Sequence, residues 1–314
     1  MLQRDWRGVF PAITTPFRND GGVDHPFLAR HAAWLVEHGS RGLVALGSLG
    51  EGATLTFDEK REVLATLVRA VDGRVPVIAG VAALSTAEAV AVARGAAEVG
   101  CKGLMALPPY VYVGDWLETR AHISAVVEAT ELSCMLYNNP IAYRTDFLPE
   151  QIAMLCEAHE NLHAVKDSSG DVRRITAIVS LLGSRINVFV GLDDCAVEGA
   201  AMGASGWIAG LVNAFPDESV KMFELAQAGR LAEARAIYDW FLPMLRLDTH
   251  PKFVQYIKLV QQEVGWGSER VRAPRLAIAG AEREMVIEMV RRSQEARPAT
   301  SAGGDGKPAL APVG

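Results

Sequence analysis

The chain has 314 residues, half of them hydrophobic and 22% charged, enough to bury a large core as one large domain or two small ones. A net charge of −6 with no Lys/Arg run gives no electrostatic basis for nucleic acid or an anionic membrane as partner, so an acidic substrate must be met by local groups. No N-terminal or later run has the apolar length of a signal peptide or a bilayer span, which makes the cytoplasm the expected location.

In chain order, short β-like runs at 8–14, 42–46, 75–81, 103–107, 133–137, 162–166, 187–191 and 207–211 alternate with helix-period segments at 58–70, 85–99, 114–130, 148–159 and 174–182. The runs are nearly continuous in apolar residues, as in a parallel sheet buried on both faces. A strand recurs roughly every 20–33 residues, repeating the βα unit eight times, and this predicts an α/β chain folded as a (β/α)8 TIM barrel. An open doubly wound sheet fits less well, because no GxGxxG follows the first strand. Helical segments near 217–228, 231–245, 251–264 and 280–295 exceed what barrel closure needs and predict a C-terminal helical extension. The expected division is a barrel over 1–216, the extension over 217–296, and a small, polar, disordered tail over 297–314.

Cys101, Cys134, Cys156 and Cys195 are scattered in apolar surroundings without a CxxC pair and read as reduced core residues. No HExxH occurs; His31 and His38 share a helix face by spacing but read as packing positions, and Asp193-Asp194 reads as loop capping. No metal and no organic cofactor is expected.

Catalytic groups of such a barrel sit at the C-terminal strand ends. After strand two, Gly47-Ser48-Leu49-Gly50-Glu51-Gly52 allows a tight turn whose backbone N–H groups and Ser48 hydroxyl can hold a carboxylate. After strand five, Tyr137-Asn138-Asn139-Pro140 places a phenol at the barrel mouth, where it can relay protons as general acid and base. At the end of strand six stands Lys166, an amine whose burial disfavours its charge and frees it to attack a carbonyl or imine. Singly, each has a bland reading: a bend, a packing tyrosine, a lysine snorkelling to solvent. Around one cavity they form a Schiff-base constellation.

These motifs resemble the dihydrodipicolinate synthase/N-acetylneuraminate lyase family of class I Schiff-base barrel enzymes, over residues 6–290. The resemblance implies that Lys166 forms the imine, Tyr137 relays protons, and Ser48 and Leu49 hold the substrate carboxylate beside the backbone of Ile208. Two departures stand out: Ala142 occupies a position where the synthase has an arginine for a second carboxylate, and the 108–112 loop lacks the second of two adjacent tyrosines that complete a proton relay across the synthase dimer. Tyr112 is the nearby candidate replacement.

Longer stretches, among them Leu211-Val212-Asn213-Ala214-Phe215-Pro216 and Leu247-Asp248-Thr249-His250-Pro251-Lys252, are similar to the hydroxyproline-degrading subgroup. That similarity implies a deaminase that converts 1-pyrroline-4-hydroxy-2-carboxylate to 2,5-dioxopentanoate and ammonia, with Asn139 contacting the substrate. The alternatives are a 2-oxo sugar-acid aldolase or dehydratase of the same superfamily, or a silent small-acid sensor. The expected partners are a small 2-oxo acid or cyclic imine acid and three further copies of the chain, as a homotetramer built as a dimer of dimers.

Overall fold

Short apolar runs separated by amphipathic helices leave a parallel sheet that must bury both faces, and closing the sheet on itself does so. A computed structural model of the chain describes residues 1–298. The first half runs β1 (Gly8–Pro11), α1 (His25–Glu37), β2 (Leu43–Ala45), α2 (Phe57–Val71), β3 (Val77–Val81), α3 (Thr86–Glu98), β4 (Gly103–Ala106), α4 (Trp116–Val127), β5 (Ser133–Asn138) and α5 (Pro140–Tyr143). It continues with α6 (Pro149–Ala158), β6 (Leu162–Asp167), α7 (Val172–Leu182), β7 (Asn187–Val190), α8 (Ala196–Ala201) and β8 (Gly206–Ala209), then α9 (Pro216–Gln227), α10 (Leu231–Leu245), α11 (Phe253–Glu263) and α12 (Gly280–Glu295). All eight strands pair in parallel with their sequence neighbours, β1 with β8, and the Ala12–Val44 bridge joins β1 to β2. This is the expected (β/α)8 TIM barrel, with C-terminal helices.

The ends of β1 and β8 differ from expectation for hydrogen-bonding reasons. Past Pro11 the chain switches partners, Ala12 N–H donating to Ala209 O at 2.8 Å and Ile13 N–H to Val44 O at 2.9 Å. β8 stops at Ala209 because the next two N–H groups are captured by the Asp193 carboxylate. Three helices fall outside the expected segments: α1, started by Asp24 accepting from Phe27 N–H at 2.9 Å, and α5 and α8, whose four and six residues are too few to show a period.

Two apolar layers result. One lies between sheet and helices; the other fills the barrel, with a floor of Trp6, Phe10 and Phe189. Trp6 Nε1 donates to Ser133 Oγ at 2.7 Å, plugging the bottom and leaving the mouth for chemistry. At the C-terminus the Arg297 guanidinium pairs with Glu218 and lies 5.7 Å over the Phe215 ring, so the chain is tied down at the residue where disorder was expected to begin. The rest of that expected tail, 299–314, lies outside the described residues. Among the described residues no helix is long and apolar enough to cross a membrane.

The four cysteines are free, and burial raises the Cys101 and Cys134 thiols to about 12. His31 is a core residue, with Nε2 2.9 Å from Asn213 O, and burial lowers its pKa to about 4. A histidine kept neutral in the fold gives the unfolded chain more protons between pH 6.5 and 4, so stability falls as pH drops through that window. We expect the protein to lose about 2 kcal/mol through this residue between pH 7 and 5, and His31→Gln to remove that part of the slope in urea unfolding.

Candidate active site

Strand register builds the centre of the mouth. β5 and β6 pair Tyr137 directly with Lys166, so in a period-two strand both side chains face the barrel interior side by side. Lys166 Nζ sits 4.0 Å from the centroid of the Tyr137 ring, and the residue is only 7% exposed. Among the described residues no hydrogen bond or ion pair occupies that amine, which opens on a cavity of about 580 Å³. Gly191 gives it room: a Cβ there would stand 2.8 Å from Lys166 Cε and 2.0 Å from Ser168 Oγ.

Asn139 orients the phenol. Its Nδ2 donates to the Tyr137 hydroxyl at 3.0 Å while its Oδ1 accepts from Ala142 N–H at 2.9 Å, starting the one-turn α5. That turn carries Tyr143 into the mouth, where its hydroxyl hydrogen-bonds Ser48 Oγ and its ring lies 5.7 Å from Tyr137 and 5.6 Å from Tyr110. Tyr110 joins the same hydroxyl cluster, and burial raises both phenols, holding them protonated. Tyr112 does not replace the missing tyrosine within this chain. It is 55% exposed, and its hydroxyl donates to Glu118 Oε1 at 2.8 Å, outside the cavity wall.

The glycine-rich turn behaves as its composition suggests. Leu46 and Glu51 take left-handed φ values of 63° and 53° at its two ends, and the Ser48 and Leu49 N–H groups find no acceptor among the described residues. The Leu49 side chain is buried in the core, leaving its backbone for a ligand. Glu51 supports the turn from beneath: its carboxylate takes Lys258 Nζ at 2.7 Å and Arg272 N–H at 3.0 Å, and Lys258 also donates to Thr15 O at 2.9 Å. Burial lowers Lys258 to about 8 against the pull of Glu51.

Asp193 and Asp248 form a coupled carboxyl pair under β8. Asp193 accepts from Trp207 Nε1 at 3.0 Å, Gly210 N–H at 2.9 Å and Leu211 N–H at 2.7 Å. Burial, then the neighbouring Asp248, raise Asp193 well above the usual carboxylate range, against the pull of its hydrogen-bond donors. Burial pushes Asp248 up to about 6 against the pull of nearby Lys166. Gly210 fits because a Cβ would stand 2.8 Å from Asp248 Oδ1. Asp248 thus brings a carboxyl group to the cavity wall near the amine.

Ser48, Leu49, Tyr137, Asn139, Lys166 and Ile208 all line this one cavity. Sequence reasoning missed Tyr110, Tyr143, Asp248 and Arg275, which share it. Tyr110 and Asp248 stood inside motifs singled out for their resemblance. Arg275 stood in another such stretch, Val271-Arg272-Ala273-Pro274-Arg275-Leu276, and Tyr143 gave no local signal.

Fold and mouth together define an enzyme of the (β/α)8 Schiff-base lyase class. The chain belongs to the dihydrodipicolinate synthetase family, whose model matches residues 5–293. A 4-hydroxy-tetrahydrodipicolinate synthase of Acidithiobacillus ferrooxidans is 33% identical over 292 residues, covering 92% of this chain and 99% of the relative. The dihydrodipicolinate synthase of Aquifex aeolicus superposes with a TM-score of 0.87 at 27% identity, covering 92% of this chain and 98% of that one. A prophage protein of the family from E. coli K12, solved in complex with pyruvate, has a TM-score of 0.86 at 25% identity, covering 92% of this chain and 99% of that one.

Proposed function

We propose that Lys166 forms an imine with C2 of a small 2-oxo acid or cyclic imine acid, and that the substrate is 1-pyrroline-4-hydroxy-2-carboxylate. The observation that carries the imine chemistry is the unoccupied Lys166 amine lying over the Tyr137 ring opposite a turn with free N–H groups. The pyruvate complex of the prophage relative supports a 2-oxo acid at such a site. The choice of the pyrroline over a dicarboxylate rests on the resemblance and on Ala142, whose N–H is already bound to Asn139 and whose side chain carries no charge.

In this scheme the Lys166 amine adds to C2 of the pyrroline, and the C2–N bond breaks, leaving the lysyl imine and a free amine on C5. A proton leaves C3 to give an enamine, which expels the 4-hydroxyl as water. Tyr137 shuttles these protons, with the Ser48–Tyr143–Tyr110 hydroxyls beside it as the exchange path. Proton transfer from C5 to C3 then gives a C4–C5 enamine, protonation at C4 with loss of an amine proton turns it into the C5 imine, and one water releases ammonia there while a second frees Lys166 at C2. One water is lost and two are taken up, so the net change is substrate plus water to 2,5-dioxopentanoate plus ammonia. The lysine nitrogen supplies the electron sink.

The names of the relatives favour a second reading, formation of 4-hydroxy-tetrahydrodipicolinate. Purified protein supplied with the pyrroline acid should release ammonia and 2,5-dioxopentanoate in equal amounts. Absence of ammonia together with synthesis of 4-hydroxy-tetrahydrodipicolinate would assign the chain to the synthase instead. We also propose a homotetramer, since Leu84, Val111 and Val113 on loops and Leu117 in the first turn of α4 expose apolar side chains. Light scattering that returns a monomer would remove that reading.

A further inference from the structure

Two arginines three residues apart on the segment between α11 and α12 are treated in opposite ways. The Arg272 guanidinium is fully engaged, donating to Gly21 O at 2.8 Å, Thr54 O at 3.0 Å and Glu59 Oε2 at 2.9 Å, and lying 4.7 Å over the Phe17 ring. It fastens the segment to the barrel rim. A tight turn, with Arg275 N–H donating to Arg272 O at 3.0 Å, then directs Arg275 to the cavity. There its side chain is 26% exposed, and among the described residues its guanidinium makes no hydrogen bond.

Among the described residues its one ion-pair partner is Glu51, with Oε2 at 3.8 Å, a carboxylate already committed to Lys258 and to the Arg272 N–H. A planar fork of five donors, largely buried and unmatched, is a receptor for an oxygen acceptor. Arg275 is also the one arginine lining the cavity, whose strand-five loop offers the uncharged Ala142.

Position defines what it meets. In an eight-stranded ring β2 and β6 stand opposite each other, and Arg275 rests on the β2 turn through Glu51 while Lys166 projects from β6. A ligand bonded to Lys166 therefore shares one cavity with the guanidinium, which faces it from across the barrel mouth. We propose that Arg275 is a specificity-determining residue that receives a hydroxyl or carboxylate oxygen at the end of the substrate remote from the carbon bonded to Lys166. This rests on the imine reading of Lys166 and extends it. For the pyrroline substrate the oxygen received is the 4-hydroxyl.

Borohydride trapping of Lys166 provides the test, with three five-carbon acids as probes: 2-oxopentanoate, 5-hydroxy-2-oxopentanoate and 2-oxoglutarate. The quantity read is the acid concentration that half-saturates trapping. Wild-type protein should favour the hydroxy acid several-fold, and 2-oxoglutarate about tenfold, over 2-oxopentanoate. Arg275→Met should collapse both preferences toward unity, and Arg275→Lys should restore part of the preference for 2-oxoglutarate. Preferences that survive in Arg275→Met, or an equal loss for all three acids, would overturn the assignment. A wild type that traps none of them overturns the imine reading first and this inference with it.

Discussion

Lys166→Ala should abolish the borohydride-trapped adduct and lower turnover by about 10⁴-fold or more, because no other described amine shares the register that brings Lys166 against Tyr137. Lys166→Arg sharpens the test. It keeps a cation in the cavity, but a guanidinium does not form the imine at neutral pH, so it should be as inactive as the alanine variant if the lysine is a nucleophile. If the lysine only supplied positive charge, the arginine variant would retain much of the rate. Mass spectrometry of the trapped protein locates the adduct. Turnover by Lys166→Ala within tenfold of wild type would sink the scheme.

The second large effect is structural. Lys258→Met leaves the Glu51 carboxylate, which has no side-chain exposure, without the ammonium 2.7 Å away that offsets its burial. Removing one partner of a buried pair costs about 3–5 kcal/mol. For a chain of this size that is a fall in thermal midpoint on the order of 10 °C. Because Glu51 closes the turn that offers the Ser48 and Leu49 N–H groups, the same variant should raise KM for the acid substrate more than it lowers kcat. Adding Glu51→Gln should recover part of the stability, since the uncompensated charge disappears. A midpoint within 1 °C of wild type in Lys258→Met would show that the pair contributes nothing net.

The sequence made some of the site legible and hid the rest for physical reasons. Lys166, Tyr137 and the Gly47–Gly52 turn were visible because each punctuates an apolar strand, and a strand end is a local feature. Asn139 was expected as a substrate contact; it lines the cavity, and its side chain also holds the Tyr137 hydroxyl and starts α5, a role set by the turn at Pro140. Tyr112 stood as a candidate for the lost tyrosine by adjacency alone. Within this chain Tyr143 is the tyrosine that one turn of helix brings to Ser48, while Tyr112 faces Glu118.

What the sequence determined by itself is the architecture and the amine: the spacing of apolar runs dictates eight βα units, and a lysine ending the sixth run must emerge at the mouth of the barrel they form. Tertiary structure alone decided the company the amine keeps. The strand register sets Tyr137 against Lys166, and Lys258 reaches Glu51 across 207 residues of chain. Asp248 and Arg275 enter the mouth from the segments that follow the last strand. Barrel closure and the need to pair buried charge fix these contacts, and both act between segments whose separation no local periodicity encodes.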